Sequence, residues 1–240
     1  MMISSLDNKI IKDLRKLNEK KYRDKEKKFL IEGEHLVKEA YKANLLKEVI
    51  LWDYDVHYDV KKTFVSENVM KSLSNLNTPY NIIGVCEMKD EEIDYGNKIL
   101  ILDNVQDPGN LGAIIRSSVA FNVDTLIISD TSVDLYNSKV LRASQGMNFH
   151  INIVRRNIEK EIINLKEKKY KIYGTNVRDG IDIKNVEKND KYAIIMGNEG
   201  SGMSKNIEKL CDKNIYININ KKCESLNVSV AASIILYELN

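Results

Sequence analysis

The chain has 240 residues, 43% of them apolar and 30% charged, with a formal net charge of +2. That is enough apolar material for one large or two small cores, and it excludes a disordered or fibrous chain. No apolar run approaches the roughly 18 residues of a membrane span, and the segment from Met1 to Leu6 lacks the apolar core of a secretory signal, so a cytoplasmic protein with no membrane partner is expected.

The near-neutral average hides one basic segment. Residues 9–28 hold ten Lys or Arg against four acids, with Ile10, Leu14 and Leu17 at helical spacing, and predict a basic helix from about Asp7. Taken alone, a phosphate-binding face and a solvated helix face read this segment equally well. A strand over 29–32, a helix over 36–43, a strand over 49–52, a helix near 69–76 and a strand over 82–85 follow, giving a small α/β layer domain over residues 1–88. The acidic, Gly-containing stretch 89–97 reads as a linker.

From Lys98 the pattern changes to short buried strands alternating with helices: KILILD, DTLIIS, KIYGTN, YAIIMG and NIYINI. Continuous apolar runs of this length predict a parallel sheet covered on both faces, over residues 98–240. Ligands of such sheets bind beyond the carboxyl ends of the strands. Three loops at those ends are unusual.

The first, NVQDPGNLGAIIR over 104–116, turns at Asp107-Pro108-Gly109-Asn110 and delivers Asn110 to a helix N-cap. Arg116 follows on an otherwise apolar helix, with Gly112 and Ala113 on its face leaving an open floor for an anion. An Arg that reaches solvent or pairs with an acid is the alternative. The second, GNEGSGMS over 197–204, sets three glycines around Glu199, where backbone can approach a ligand closely. It is neither a P-loop nor GxGxxG, which argues against a nucleotide-dependent oxidoreductase. The third, SLNVSVA over 225–231, opens an apolar helix with a polar cluster. It is either a helix cap alone or the third wall of one pocket. Cys86, Cys211 and Cys223, like His35, His57 and His150, are scattered with no CxxC pair, so neither a disulfide framework nor a metal site is predicted.

In order and spacing these three loops resemble the motifs of the SpoU (TrmH-like) branch of the SPOUT methyltransferases, over about residues 98–240. Residues 11–40 are similar to the ribosomal-protein-like substrate-binding domain of several ribosomal-RNA members. The resemblance implies an S-adenosylmethionine-dependent RNA ribose 2′-O-methyltransferase with a deep C-terminal trefoil knot, working as a homodimer whose active site takes help from the partner chain. By motif, the implied active-site residues are Asn110, Arg116, Glu199, Ser225 and Asn227. The cofactor would rest on Gly197, Ile217 and Leu226, with Thr175 and Asn198 nearby. The basic segment then turns toward RNA, with Arg15, Lys16, Lys20, Lys21 and Arg23 as phosphate contacts. Ribosomal RNA of the large subunit is the expected substrate; a transfer-RNA methyltransferase and a non-catalytic RNA-binding protein are the alternatives. The last is motivated by Ile217-Asn218-Ile219-Asn220-Lys221-Lys222, where bulkier and charged residues replace the small, flexible ones of the family.

Overall fold

A computed structural model describes residues 2–187 and 189–240; Met1 and Lys188 lie outside the described residues. The chain forms two compact units, one of residues up to Asp90 together with Asp134–Phe149, the other of Glu91–Val133 and His150–Asn240. In chain order the first elements are α1 (Lys9–Lys16), α2 (Lys20–Glu26), β1 (Lys28–Glu32), α3 (Glu34–Lys42), β2 (Leu46–Leu51), β3 (Lys61–Phe64), α4 (Glu67–Leu73) and β4 (Ile82–Glu87). Next come β5 (Lys98–Leu102), α5 (Pro108–Ala120), β6 (Thr125–Ser129), α6 (Ser138–Ser144), β7 (Asn152–Arg156) and α7 (Ile158–Glu167). The last are β8 (Lys171–Thr175), β9 (Ile181–Asp182), β10 (Tyr192–Met196), α8 (Lys205–Leu210), β11 (Lys213–Tyr216) and α9 (Val228–Glu238).

The first unit is a three-layer sandwich around a sheet ordered β1-β4-β2-β3. Alternation sorts its strands: Leu30, Ile50, Ile83 and Val85 join Ile11, Leu14, Val69 and Met70 in one core. Phe29, Ile31, Val49 and Ile82 join Leu36, Val37 and Ala40 in the other. That second core also takes Leu141 and Phe149 from the stretch 134–149, which was expected within the second domain. Burying a side chain of the size of Phe149 is worth about 1.5–3 kcal/mol, one of several apolar contacts that hold the segment there. The single basic helix expected from sequence is two. Asn18 breaks it, its side chain bonding the Leu73 carbonyl at 3.2 Å and accepting from Asn75 at 2.8 Å. β3 escapes the sequence pattern because it is a four-residue edge strand, KKTF, without a fully buried position.

The second unit holds seven strands ordered β7-β6-β5-β10-β8-β11-β9, every neighbouring pair parallel. Ile99, Ile101, Ile127 and Ile195 pack under Ile158, Ile162 and Leu165 of α7 and Ile207 of α8. The alternate residues Leu100, Leu102, Leu126 and Ile128 are equally buried, so both faces are covered. α5 lies on α9, where the hydroxyls of Ser117 and Ser233 meet at 2.7 Å. The edge strand β7 was not expected. Its Arg155 keeps a half-buried guanidinium satisfied by the carbonyls of Ser129, Asp130, Ser132 and Val133 at 2.8–3.1 Å. Among the described residues no helix is long and apolar enough to cross a membrane.

Candidate active site

The carboxyl ends of β8, β10 and β11 open on one cavity of about 440 Å³, closed from the side by α9. Thr175, Gly197, Asn198, Ile217 and Leu226, the five residues that the family motifs assign to the cofactor, all line it. Its wall is apolar where Met196, Ile217, Ile219, Leu226 and Ile235 meet, and polar along the 197–202 loop. Gly197 allows the loop to fold on itself: a Cβ there would stand 2.2 Å from the backbone of Gly202 and Met203. Gly202 has φ +69°, and a Cβ on it would meet nothing within 4 Å, so free space lies in front of the loop.

Several polar side chains around this cavity spend their hydrogen bonds on the loops themselves. Thr175 donates to the Ile195 carbonyl at 2.8 Å. The Asn198 amide donates to the Asn104 carbonyl at 2.8 Å, while its oxygen accepts from the N–H groups of Gly200 and Ser201 at 3.0 and 3.1 Å. Ahead of the third loop Ile217 and Ile219 line the cavity, whereas Asn218, Asn220, Lys221 and Lys222 are exposed and do not line it. The charged departures from the family pattern turn outward.

Glu199 ties the loops together. Its carboxylate accepts from the N–H of Asp107 at 3.0 Å, the N–H of Gln106 at 3.2 Å, the Asn110 amide at 3.1 Å and the Asn198 amide at 3.2 Å. Partial burial pushes its pKa up, but the bonds from Asp107, Asn110 and Gln106 outweigh this and hold it below the usual carboxylate value. Asn110 passes the link on, its oxygen accepting from the Asn227 amide at 3.0 Å. Asn227 in turn caps α9, accepting from the N–H of Ser229 at 2.9 Å and of Val230 at 3.4 Å. The cap of α9 thus lies between Leu226 and Val228, which line the cavity. Ser225 lines the cavity beside it and is exposed.

Three expectations are corrected. The N-cap of α5 is Asp107, not Asn110: Asp107 accepts from the Asn110 N–H at 2.8 Å, and Pro108 takes the first helical position, where a missing N–H costs nothing. The dipeptide Asp-Pro was the sequence signal for this. The floor beneath Arg116 is not open, since Gly112 is buried. Arg23 does not face a ligand. It is 6% exposed, donates to the Leu17 carbonyl at 2.8 Å and pairs with Asp134 at 2.5 Å, so the fold encloses it.

Arg116 is exposed, does not line the cavity of its own chain, and forms no hydrogen bond or ion pair among the described residues. Arg15 is half-buried, donating to Ser72 at 3.1 Å. Lys16, Lys20 and Lys21 are exposed, each beside an acid of the same segment: Asp13, Asp24 and Glu19. Among the described residues no cluster of His, Cys, Asp and Glu suits a metal ion.

The model of the SpoU rRNA Methylase family matches residues 97–237, and that of the MRM3-like substrate binding domain matches residues 8–84. A curated relative, 23S rRNA (guanosine(2553)-2′-O)-methyltransferase RlmP of Bacillus subtilis, is 39% identical over 243 positions, covering 99% of this chain and 98% of its own. Among solved structures, an AdoMet-bound rRNA methyltransferase from Sinorhizobium meliloti superposes with a TM-score of 0.88 at 26% identity, covering 100% of this chain and 97% of the other. An RNA 2′-O ribose methyltransferase does so with a TM-score of 0.84 at 27% identity, covering 100% and 98%.

Proposed function

The chain belongs to the SpoU rRNA methylase family, and from that premise we propose that it transfers a methyl group from S-adenosylmethionine to a ribose 2′-hydroxyl of large-subunit ribosomal RNA. The observation that carries this is the joining of all three motif loops through Glu199, Asn110 and Asn227, with Glu199 itself on the cavity wall. The guanosine in the name of the Bacillus subtilis relative is the first nucleotide to test. Mapping 2′-O-methyl groups in 23S RNA from cells with and without the gene tests the proposal: loss of one mark supports it, and an unchanged map refutes it.

The cavity suits the cofactor. Its volume lies within the ordinary range of small-molecule sites, its apolar wall fits a purine, and its polar rim along the 197–202 loop suits polar ends. Gly197, Ile217 and Leu226 would hold the cofactor, with Thr175 and Asn198 shaping the loops behind it. When bound, it supplies a methyl group already activated by a positive sulfur. The protein's part is mainly alignment, which accounts for up to roughly 7–11 kcal/mol of a barrier in the best intramolecular cases. Arg116 supplies charge: a guanidinium keeps its proton in proteins and serves poorly as a base, but stabilises a developing alkoxide and grips the neighbouring phosphate. Glu199 and Asn110 are positioning residues, holding the entry to α5 against the α9 cap. Ser225 sits where it can contact substrate or cofactor.

The exposed, unpaired Arg116 outside its own chain's cavity supports a homodimer in which each Arg116 serves the neighbouring subunit's site. A trefoil knot belongs to the same reading; the insertion of β10 between β5 and β8, with the 217–227 loop passing the cavity before α9, is in keeping with it. Lys16, Lys20 and Lys21 remain the candidates for phosphate contacts, and the protein is placed in the cytoplasm with its ribosomal substrate. Because the altered 217–222 stretch presents Ile217 and Ile219 inward, it preserves an apolar cradle and favours the enzyme over a non-catalytic RNA-binding protein. Calorimetry with S-adenosylmethionine separates the two.

A further inference from the structure

In the first unit, α1 and α2 border a groove of about 410 Å³ that no step of the methyl transfer uses. Its floor is apolar, made by Leu14, Leu17, Val85 and Ile10, the last left 43% exposed. One wall is the half-buried ring of Tyr22. The ammonium groups of Lys21 and Lys16 lie 4.6 and 5.9 Å from that ring's centroid. Acids also stand at the rim. Asp13 pairs with Lys16 at 2.8 Å, Glu26 with Lys25 at 3.6 Å, and Glu48 with Lys61 at 3.0 Å.

A bare phosphate gains little from such a mixed rim and nothing from an apolar floor. A planar heterocycle gains from both: its face packs on Tyr22 and the aliphatic floor, its edge meets polar groups, and the phosphates on either side reach exposed lysines. In duplex RNA the base faces are stacked away, so only an unpaired nucleotide can enter. We propose that this groove holds one unpaired nucleobase of the RNA, stacked on Tyr22, with the flanking phosphates on Lys16 and Lys21. The inference rests on the RNA-substrate reading above and adds the form of RNA that the first unit selects.

The test is fluorescence anisotropy of the intact protein with a single-stranded RNA oligonucleotide and with the same strand fully paired. Wild-type protein is expected to prefer the single strand. Tyr22→Ala should lose about ten-fold on the single strand, leave the duplex unchanged, and keep the salt slope, because no charge is removed. Tyr22→Phe should retain wild-type affinity. Ile10→Glu, on an exposed position of the floor, should reproduce the selective loss without touching a buried core residue. Lys21→Ala should instead lower the slope of log affinity against log salt by about 0.7. Unchanged single-strand affinity in both Tyr22→Ala and Ile10→Glu, or an equal loss on single strand and duplex, overturns the groove alone. Failure of the wild type to bind either RNA overturns the RNA reading as well.

Discussion

The side-chain amide of Asn227 donates to Oδ1 of Asn110 at 3.0 Å, although 117 positions separate them in the chain. That one bond joins the first turn of α5 to the cap of α9, while the other oxygen-bearing end of Asn227 is occupied by the N–H groups of Ser229 and Val230. The two jobs can be separated by chemistry. Asn227→Asp keeps an acceptor for the cap and replaces the donor toward Asn110 with a second oxygen. Thermal melting should move little, since Asp caps as well as Asn, whereas methyl incorporation into RNA should fall at least ten-fold. Asn227→Ala should lose activity and, in addition, about 1 kcal/mol of stability. Full activity in Asn227→Asp would detach the bond from the reaction.

Glu199 carries the second prediction. Its pKa is held down by donors that want a charged acceptor, after burial has worked in the opposite direction. A lowered folded-state pKa contributes stability that is present above the unfolded value, near 4.5, and is lost as pH falls through the folded one. Glu199→Gln removes the charge and points an N–H₂ group toward existing donors. The expected cost is about 1 kcal/mol at pH 7, discounted because the side chain is partly exposed to screening solvent. The difference between wild type and variant should shrink as melting is repeated from pH 7 toward pH 3. A constant difference across that range contradicts the charge-based account.

Much of the second unit was legible because buried parallel strands such as Leu100-Ile101-Leu102 and Ile194-Ile195 announce themselves as continuous apolar runs, and the loops that follow them stand out by glycine and amide content. What stayed hidden has a common physical cause. β7 and β3 are edge strands whose side chains alternate or stay half-exposed, so they lack that signal. The stretch 134–149 joins the first unit through a few apolar side chains, Leu141 and Phe149 among them, whose destination no local pattern encodes. Arg23 shows the limit most sharply. In sequence it is one cation among ten in a basic segment, and its acid partner, Asp134, lies too far along the chain for any local pattern to announce the pair.

That placement leads to a third prediction. The Arg23 and Asp134 side chains are 8% and 16% exposed, so removing one leaves the other's charge largely enclosed. Arg23→Ala should cost about 3–5 kcal/mol, seen as a drop in melting temperature. Asp134→Asn should be destabilising in the same direction. At a temperature where the variant remains folded, the salt slope of its RNA binding should equal that of wild type, because no phosphate contact has been lost. Lys20→Ala gives the opposite pattern, a shallower slope with unchanged melting. A shallower slope in Arg23→Ala would return this residue to the RNA interface.

The last prediction concerns which chain Arg116 serves. It is exposed, unpaired among the described residues, and absent from the lining of its own cavity, while Gly197 and Leu226 lie within that lining. Arg116→Ala should abolish methyl transfer and leave S-adenosylmethionine affinity, read by calorimetry, within several-fold. Arg116→Lys should also be poor, since a point charge cannot replace the planar fork. A second variant, Leu226→Glu, should block the cavity and lose cofactor binding instead. Each homodimer is then inactive for a different reason. If Arg116 acts on the neighbouring subunit's site, a mixed dimer gathers both defects into one site and leaves the other intact. Random exchange of equal amounts makes half the dimers mixed, so activity should return to about a quarter of wild type. If Arg116 acted within its own chain, every site in the mixed dimer would carry one defect, and mixing would restore nothing. The recovered activity, measured after subunit exchange and against unmixed controls, decides between the two arrangements.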